Sequence, residues 1–264
     1  MNFLDKIIAT KHLEVIRDRQ HKAISELEKS EFFERECHSL VQNLKKSNTG
    51  IIAEFKRKSP SKGIINNQAD VAKVARDYEE AGVNGMSVIT DIEHFAARSE
   101  DLPTARRNIS IPILLKDFII DEYQVIAAKA MGADVILLIA EVLSKKAIKH
   151  LAAQAKMLGL EVLMELHSES ELDKITDDLD LIGVNNRDLK KFSVDIESSV
   201  QLFSKIPDRF VKISESGISK TGNIAYLRKI GFQGFLIGEN FMRSSHPGES
   251  CKKFIQQLNT NIWG

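Results

Sequence analysis

The feature that most constrains the fold is a repeat of short apolar runs separated by longer amphipathic stretches. Eight such runs occur between residues 51 and 237, and their starts are about 26 residues apart on average. That spacing fits one buried strand followed by one crossover helix. The predicted strands are 51–55, 86–90, 113–115, 135–139, 162–164, 181–184, 210–213 and 235–237. Eight strands alternating with helices predict an α/β fold in which a parallel sheet closes into a single (β/α)8, or TIM, barrel.

The amphipathic stretches between these runs predict helices, and glycine follows several of them, as expected at a helix end. The predicted helices are 70–81, 121–131, 144–158, 168–175, 196–203 and 224–230. An open, doubly wound sheet is the alternative arrangement of such units. No GxGxxG motif follows the first strand and no GxxxxGK[ST] motif occurs, so the common nucleotide-binding fingerprints of open sheets are absent. We therefore prefer the barrel.

The first 48 residues differ in composition from the rest, because they are charged and contain neither glycine nor proline. Apolar residues at helical spacing predict an amphipathic helix with a stripe formed by Leu4, Ile7, Ile8, Leu13 and Ile16. We predict that residues 1–48 form an N-terminal helical extension packed on the barrel and that residues 49–264 form the catalytic barrel domain.

Charge and cysteine usage limit the partners and the compartment. Lysine plus arginine equals aspartate plus glutamate, at 37 each, so no overall field favours nucleic acid or an anionic membrane surface. The longest apolar run, 135–140, is too short to cross a bilayer. Cys37 and Cys251 lie far apart without CxxC spacing, which is typical of reduced thiols in a cytoplasmic protein. We expect no nucleic-acid partner, no membrane partner and a cytoplasmic location.

The first predicted strand carries two opposite charges. Side chains alternate along a strand, so Glu54 and Lys56 point to the same face. On a solvent-exposed face this pair would be an ordinary surface ion pair of small energetic value. In a parallel strand buried on both faces, the same charges would be costly unless they were paired or used. The functional interpretation depends on which of these two arrangements the fold adopts.

The carboxyl ends of barrel strands surround one pocket, and here they are rich in polar residues. These residues are Glu54, Lys56, Ser59, Lys116, Glu165, Asn185, Arg187, Glu215 and Ser216. Two lysines at one pocket repel each other unless carboxylates or an anionic substrate neutralise them. The segments SESG at 214–217 and IGEN at 237–240 follow the last two strands, where barrels frequently bind phosphate. Each segment alone could equally be an ordinary turn, but together they indicate a phosphate site.

The remaining common site chemistries lack support in the sequence. None of the seven histidines is paired at HxH or HxxxH spacing, and no acidic cluster has metal-ligand periodicity. No GxSxG elbow points to a serine nucleophile. We therefore predict no metal.

Six segments in order resemble the indole-3-glycerol-phosphate synthase family of tryptophan biosynthesis. They are AEFKRKSPSKG at 53–63, LLKDFIIDEYQV at 114–125, MELH at 164–167, IGVNNRDL at 182–189, ISESGI at 213–218 and LIGENFMR at 236–243. The resemblance implies a carboxy-lyase that closes the indole ring of 1-(2-carboxyphenylamino)-1-deoxyribulose 5-phosphate, with loss of carbon dioxide and water and without a cofactor.

The resemblance also implies roles for individual residues. Lys116 is similar to the general acid, Lys56 to the partner of the substrate carboxylate, and Glu54 and Glu165 to the carboxylates that steer the lysines and accept protons. Which of these two is the base stays open. The catalytic set is Glu54, Lys56, Lys116, Glu165, Asn185 and Ser216; the substrate-binding set is Ser59, Phe95, Phe118, Arg187 and Glu215; the phosphate-binding set is Gly217, Gly238 and Glu239.

The chain departs from the family pattern after the predicted second strand. Where the family usually has Gly-Ser, this sequence has Ala97 and Arg98, so the loop next to Phe95 is expected to be stiffer or more basic. Phe95 and Phe118 could each also be ordinary core residues. From the family we expect an extension that leans over the barrel mouth. We also expect a monomer that acts on a small phosphorylated substrate, and association with other tryptophan-pathway enzymes stays open.

Two alternative functions fit the same fold. The first is another phosphate-binding barrel enzyme of the phosphoribosylanthranilate isomerase type, which would need a cysteine and an aspartate on strand ends. Neither Cys37 nor Cys251 lies at such an end. The second is a barrel that binds phosphate without catalysis, and turnover to an indole-fluorescent product would exclude it.

Overall fold

The computed structural model describes residues 3–188 and 193–263, and its centre is a closed barrel of eight parallel strands. The strands are β1 (Ile51–Phe55), β2 (Lys58–Ser59), β3 (Gly63–Ile64), β4 (Gly85–Ile89), β5 (Ile113–Lys116), β6 (Val135–Ile139), β7 (Glu161–Leu166), β8 (Leu181–Asn185), β9 (Val211–Glu215) and β10 (Gly234–Ile237). The barrel runs β1, β10, β9, β8, β7, β6, β5, β4, and β2 pairs with β3 as a separate hairpin. The predicted α/β barrel is confirmed.

Helices connect the strands and also precede and follow the barrel. They are α1 (Phe3–His21), α2 (Ile24–Leu27), α3 (Leu40–Lys45), α4 (Val71–Glu80), α5 (Ile92–Phe95), α6 (Asp101–Asn108), α7 (Glu122–Met131), α8 (Lys145–Met157), α9 (Glu197–Phe203), α10 (Thr221–Ile230), α11 (Glu239–Met242) and α12 (Pro247–Trp263). The segment Glu169–Lys174 is a 3₁₀ helix rather than the predicted α-helix. None of the helices in the described part of the chain combines the length and apolar character that a bilayer crossing needs.

Several elements were not predicted, and two of them have a local reason. The buried residues of α6 include the charged Asp101 and Arg106, so this helix has no clean apolar stripe in the sequence. The β2–β3 hairpin consists of two-residue strands, which are too short to show an alternating pattern. Helices α5 and α12 were also missed. Leu189, the last residue of one resembling segment, lies outside the described residues, as do Met1, Asn2 and Gly264.

The barrel strands are buried on both faces, which resolves the ambiguity of the first strand. Ile51 and Phe55 pack into the layer between barrel and helices, whereas Ile52 belongs to the barrel interior. Glu54 has the same parity as Ile52 and is only 4% exposed. The carboxylate of Glu54 therefore lies in an enclosed interior, where it needs a partner.

The N-terminal helix packs on the barrel with only part of the predicted stripe. Its buried residues are Leu4, Ile7, Lys11 and Val15, so Leu4 and Ile7 were assigned correctly. Leu13 and Ile16 are 69% and 56% exposed, so their assignment to the buried stripe is wrong. The sequence pattern misled because a buried lysine occupies the inward position where an apolar residue would be expected. The division of the chain into an N-terminal extension, 1–48, and a barrel domain, 49–264, stays a prediction.

Lys11 attaches this helix to the mouth of the barrel. Its ammonium Nζ lies 3.0 Å from Asp91 Oδ2 and 2.8 Å from Asp117 Oδ1, at the carboxyl ends of β4 and β5. Burial alone would lower the pKa of Lys11, but these carboxylates outweigh it and raise the pKa above its ordinary value. Loss of one partner from a buried pair costs about 3–5 kcal/mol. The ion pairs therefore fix α1 beside the strand ends.

Candidate active site

A cavity of about 660 Å³ opens at the carboxyl ends of the barrel strands. This volume is in the range of small-molecule sites. All fourteen residues that the sequence singled out line it: Glu54, Lys56, Ser59, Phe95, Lys116, Glu165, Asn185, Arg187, Glu215, Ser216, Gly217, Phe118, Gly238 and Glu239. The structure thus brings the predicted site residues together in one cavity, and their individual roles stay predictions.

Lys116, the last residue of β5, contacts two buried carboxylates across the barrel. Its Nζ lies 2.5 Å from Glu165 Oε2 on β7 and 3.1 Å from Glu215 Oε2 on β9. Burial alone would lower the pKa of the Lys116 ammonium, but the carboxylates of Glu165 and Glu215 outweigh burial and raise it. Lys116 is therefore a cation held at the base of the cavity with only 15% of its side chain exposed.

The two carboxylates that contact Lys116 differ in their ionisation. Burial is the largest single effect and would raise the pKa of Glu165, but Lys116, His167 and a hydrogen bond from Asn185 together outweigh it, and the pKa falls to about 2. Burial raises the pKa of Glu215 to about 8, because the lowering effect of Lys116 is opposed by the negative charge of Glu165 as well as by burial. The 3.1 Å contact between Lys116 and Glu215 is not aligned as a hydrogen bond. At neutral pH the cluster thus holds one ammonium, one carboxylate and one neutral carboxyl group.

Two glycines make room for the site carboxylates. A Cβ added at Gly183 in β8 would lie 2.1 Å from Glu215 Oε1, and one added at Gly238 would lie 2.3 Å from Glu54 Oε1. Real Cβ atoms do not approach oxygens this closely. Gly238 was predicted only as a phosphate-site residue, and the structure shows that it also borders the side chain of Glu54.

A second lysine–carboxylate pair lies at the end of β1. Lys56 Nζ is 2.5 Å from Glu54 Oε1, and both residues line the same cavity as Lys116. The 15% exposure of the Lys56 side chain leaves its ammonium accessible from the cavity. Ser59 lines the cavity from the β2–β3 hairpin and its buried hydroxyl has no hydrogen-bond partner among the described residues. This corner can therefore bind an anionic group.

The turn after β9 has an unusual backbone. Ser216 and Gly217 both adopt positive φ, at 68° and 75°. A non-glycine residue in this region is uncommon and concentrates at functional sites. On the neighbouring strand end, the carboxylate of Glu239 lies 3.5 Å from Arg187 Nη2 and 2.9 Å from Arg243 Nη2. These ion pairs engage the Glu239 side chain, so its role toward a bound anion would fall to its backbone N–H.

Asn185 and Arg187 continue this rim from the end of β8. The side-chain Oδ1 of Asn185 accepts a hydrogen bond of 3.0 Å from the backbone N–H of Arg187, and the Arg187 guanidinium donates to Ser61 Oγ at 3.3 Å. The neighbouring Asn186 donates to Ser214 Oγ at 3.0 Å and to the carbonyl of Ser216 at 3.1 Å. These bonds tie the end of β8 to the turn after β9.

Aromatic and apolar side chains form the opposite wall. The rings of Phe95 and Phe118 are half-buried, with centroids 6.3 Å apart and planes inclined by 37°. Phe3, Leu4 and Ile7 of α1 also line the cavity, and the sequence analysis missed their part in it. The family resemblance led to the expectation that the extension leans over the barrel mouth, but the amphipathic pattern does not indicate which of its residues line the cavity.

One cluster near the cavity has the composition of a metal site. Potential ligand atoms of Glu141, His167 and Glu171 lie within 4.8 Å of one another. The sequence missed this cluster because its members come from two different strand ends and a 3₁₀ helix, without regular spacing. The expectation of a metal-free site stays a prediction.

Fold and site together define a class of protein: a (β/α)8 barrel enzyme with buried lysine–carboxylate pairs for acid–base chemistry on a small anionic substrate. The family model described as Indole-3-glycerol phosphate synthase matches residues 4–258. The chain belongs to the indole-3-glycerol phosphate synthase family, as its six sequence segments had suggested. It is therefore a carboxy-lyase of tryptophan biosynthesis.

Relatives of similar length support the assignment. An indole-3-glycerol phosphate synthase of Bacteroides thetaiotaomicron is 44% identical over 257 residues, which cover 97% of this chain and 99% of the relative. One of Salinibacter ruber is 41% identical over 256 residues, which cover 96% of this chain and 95% of the relative.

More distant solved structures share the fold. The tryptophan synthase subunit alpha of Legionella pneumophila matches with a TM-score of 0.59 at 11% identity, covering 84% of this chain and 97% of that one. KGPDC of Streptococcus mutans matches with a TM-score of 0.59 at 12% identity, covering 81% and 98%. At these identities the matches show the barrel fold alone.

The contact between Gly183 and Glu215 leads to a test of site geometry. We expect Gly183→Ala to displace the Glu215 carboxyl group from Lys116 and to lower kcat about 100-fold, since small misplacements of site groups have effects of that order. Gly222→Ala is the matched control, because a Cβ at Gly222 in α10 meets no atom within 4 Å. Steady-state kinetics would measure both variants, and equal activity of the two would contradict the packing argument.

Proposed function

We propose that Lys116 is the general acid of the ring closure that converts 1-(2-carboxyphenylamino)-1-deoxyribulose 5-phosphate to indole-3-glycerol phosphate. The observation that carries this proposal is the Lys116 ammonium held between Glu165 and Glu215 at the base of the cavity. A buried carboxylate partner keeps the lysine protonated and aims it, so the proton is available when an oxygen approaches. The steps below follow from that arrangement.

Binding uses the two charged ends of the substrate. The phosphate lies at the turns after β9 and β10, where the backbone N–H groups of Gly217, Gly238 and Glu239 can approach its oxygens. The carboxylate of the substrate pairs with Lys56, and Ser59 contributes at an anionic end. Arg187, whose guanidinium lines the cavity, adds positive charge between these two positions.

The aromatic ring of the substrate lies against Phe95 and Phe118. Both rings line the cavity and offer flat apolar surface on the side that α1 covers. This placement folds the substrate so that the ring carbon faces the ketone. Holding two reacting atoms in contact removes an entropic part of the barrier.

The reaction then needs protons at three points. As the ring carbon attacks, Lys116 donates a proton to the ketone oxygen, which becomes a hydroxyl group. Carbon dioxide leaves from the ring carbon, and the new hydroxyl leaves as water after a second protonation, by Lys56 or by Lys116 once it has regained a proton from solvent. The proton lost as the five-membered ring becomes aromatic goes to a carboxylate, and Glu54 and Glu165 are the two candidates for this base. General acid catalysis of this kind contributes about 10²- to 10⁴-fold.

Three further residues support this arrangement. Asn185 and Ser216 line the cavity beside the two carboxylates and can hold hydroxyl or carbonyl oxygens of the substrate. Glu215, as a neutral carboxyl group below about pH 8, can donate a hydrogen bond to the substrate without adding negative charge.

We propose a monomer in the cytoplasm. The large exposed apolar side chains are scattered over several elements, which supports a monomer: Leu13 and Ile16 on α1, Ile64 on β3, Ile92 on α5, Met157 on α8, Tyr226 on α10, and Val194 before α9. Both cysteines are free, as is usual in a reducing compartment. Light scattering that gives the mass of two chains, or cell fractionation that finds the protein outside the cytoplasm, would contradict this proposal. Association with other tryptophan-pathway enzymes stays a hypothesis.

Replacement of the general acid gives the most direct kinetic test. We expect Lys116→Ala to lower kcat by about 10³-fold or more, because the proton donor is lost. The matched control is Lys149→Ala, which changes an exposed lysine on α8. Formation of the indole product can be followed by fluorescence, and circular dichroism would check the fold. Near wild-type kcat in a folded Lys116→Ala variant would remove the assignment.

The raised pKa of Glu215 predicts a specific pH dependence. Glu215 is neutral below about pH 8 and ionised above it. Ionisation adds a second negative charge beside Lys116, which weakens this lysine as an acid and repels the anionic substrate. We expect kcat/KM to fall above about pH 8 in the wild type and to lose this limb in Glu215→Gln. If kcat/KM of Glu215→Gln falls with pH as it does in the wild type, the titrating group is not Glu215.

A further inference from the structure

His167 lies behind Glu165 and is not part of the cavity wall described above. It follows β7 directly, two residues after Glu165, and its side chain is 9% exposed. It lines a second, adjoining cavity of about 470 Å³ instead. A nearly buried imidazole at this position needs a partner or a role.

The imidazole lies between two carboxylates. Its Nε2 is 3.4 Å from Glu165 Oε1, and its Nδ1 is 3.9 Å from Glu141 Oε2. Both ring nitrogens are buried, and neither has a hydrogen-bond partner among the described residues. A buried polar atom without a hydrogen bond costs free energy, so its retention calls for an explanation.

Glu165 accepts hydrogen bonds from Lys116 and from Asn185, and its Oε1 also faces His167. Lys116 lies 2.5 Å from Oε2, whereas Oε1 faces the imidazole at a distance longer than an ordinary hydrogen bond. Hydrogen bonds at enzyme sites are often long in the free enzyme and tighten when substrate binds. A small rotation of the imidazole would place its N–H on Oε1.

We propose that His167 is a positioning residue for Glu165, fixing Oε1 from behind while Lys116 fixes Oε2 from the front. With both oxygens held, the carboxylate cannot rotate away from the lysine when the substrate oxygen arrives. This inference rests on the proposed roles of Lys116 and Glu165 and extends them to a residue that does not contact the substrate.

Two neighbouring charged groups, Glu171 and Lys174, have hydrogen-bond partners other than the His167 imidazole. Glu171 Oε2 accepts a hydrogen bond of 2.7 Å from the backbone N–H of His167, so this carboxylate holds the main chain. Lys174 Nζ donates to the carbonyls of Ala140 and Leu143 and is engaged there. The imidazole therefore bridges toward Glu141 at one nitrogen and toward Glu165 at the other.

A double-mutant cycle separates positioning of Glu165 from a general structural role. In the enzyme that keeps Glu165, we expect His167→Ala to lower kcat about tenfold and to change KM by less than about twofold. In the Glu165→Gln background, measured by single turnover with excess enzyme, the same substitution should cost less than about twofold, because the group it positions is gone. Equal losses in both backgrounds, or a change in KM alone, would overturn the proposal.

Two further variants complete the experiment. His150→Ala is the matched control, because this histidine is 58% exposed on α8, and its kcat should equal that of the wild type. His167→Gln keeps an N–H donor and should recover at least part of the kcat that His167→Ala loses. If thermal melts show that His167→Ala is unfolded, His167→Gln takes its place in the double-mutant cycle. No recovery in folded His167→Gln would overturn the proposal. If the wild type itself does not turn over the substrate, the proposed function fails together with the role of His167. If the wild type is active but the variants behave otherwise than expected, only the role of His167 fails.

Discussion

The ion-pair cluster of Lys116, Glu165 and Glu215 is the constraint on which the site depends. A lysine and two carboxyl groups buried together are stable only if the charges balance, and the structure achieves this with one ionised and one neutral carboxyl group. The three side chains come from β5, β7 and β9, so the barrel must close with the correct register for the cluster to form. Fold and chemistry are therefore linked through these contacts.

The alternation of side chains along each strand explains how the cluster is reached. In β1, Ile52 fills the barrel interior and Glu54 follows it at the same parity, nearer the carboxyl end. In β5, Leu114 and Lys116 have the same relation, and in β7 so do Leu163 and Glu165. Each of these three strands thus contributes an apolar residue to the barrel core and a charged one to the cavity above it. This order is a property of the sequence, and it is the reason that the strand ends could be predicted to meet at one site.

Other parts of the molecule could not be predicted from a single sequence, for physical reasons. Helix α6 turns Asp101 and Arg106 inward, and α1 turns Lys11 inward, so an apolar stripe fails as a guide to what is buried. Gly183 is needed because the carboxyl group of Glu215 reaches across to its strand. That relation joins residues that are far apart in sequence and is visible only in the folded chain. The family resemblance led to the expectation that α1 leans over the barrel mouth, but the particular residues of α1 that line the cavity are visible only in the folded chain.

A crystal structure with indole-3-glycerol phosphate bound would test the central claim most directly. The account predicts phosphate oxygens within about 3 Å of the backbone nitrogens of Gly217, Gly238 and Glu239. It also predicts that the Lys116 ammonium faces the indole end of the product while still contacting Glu165. A phosphate bound away from these turns, or a Lys116 side chain directed out of the cavity, would contradict the account.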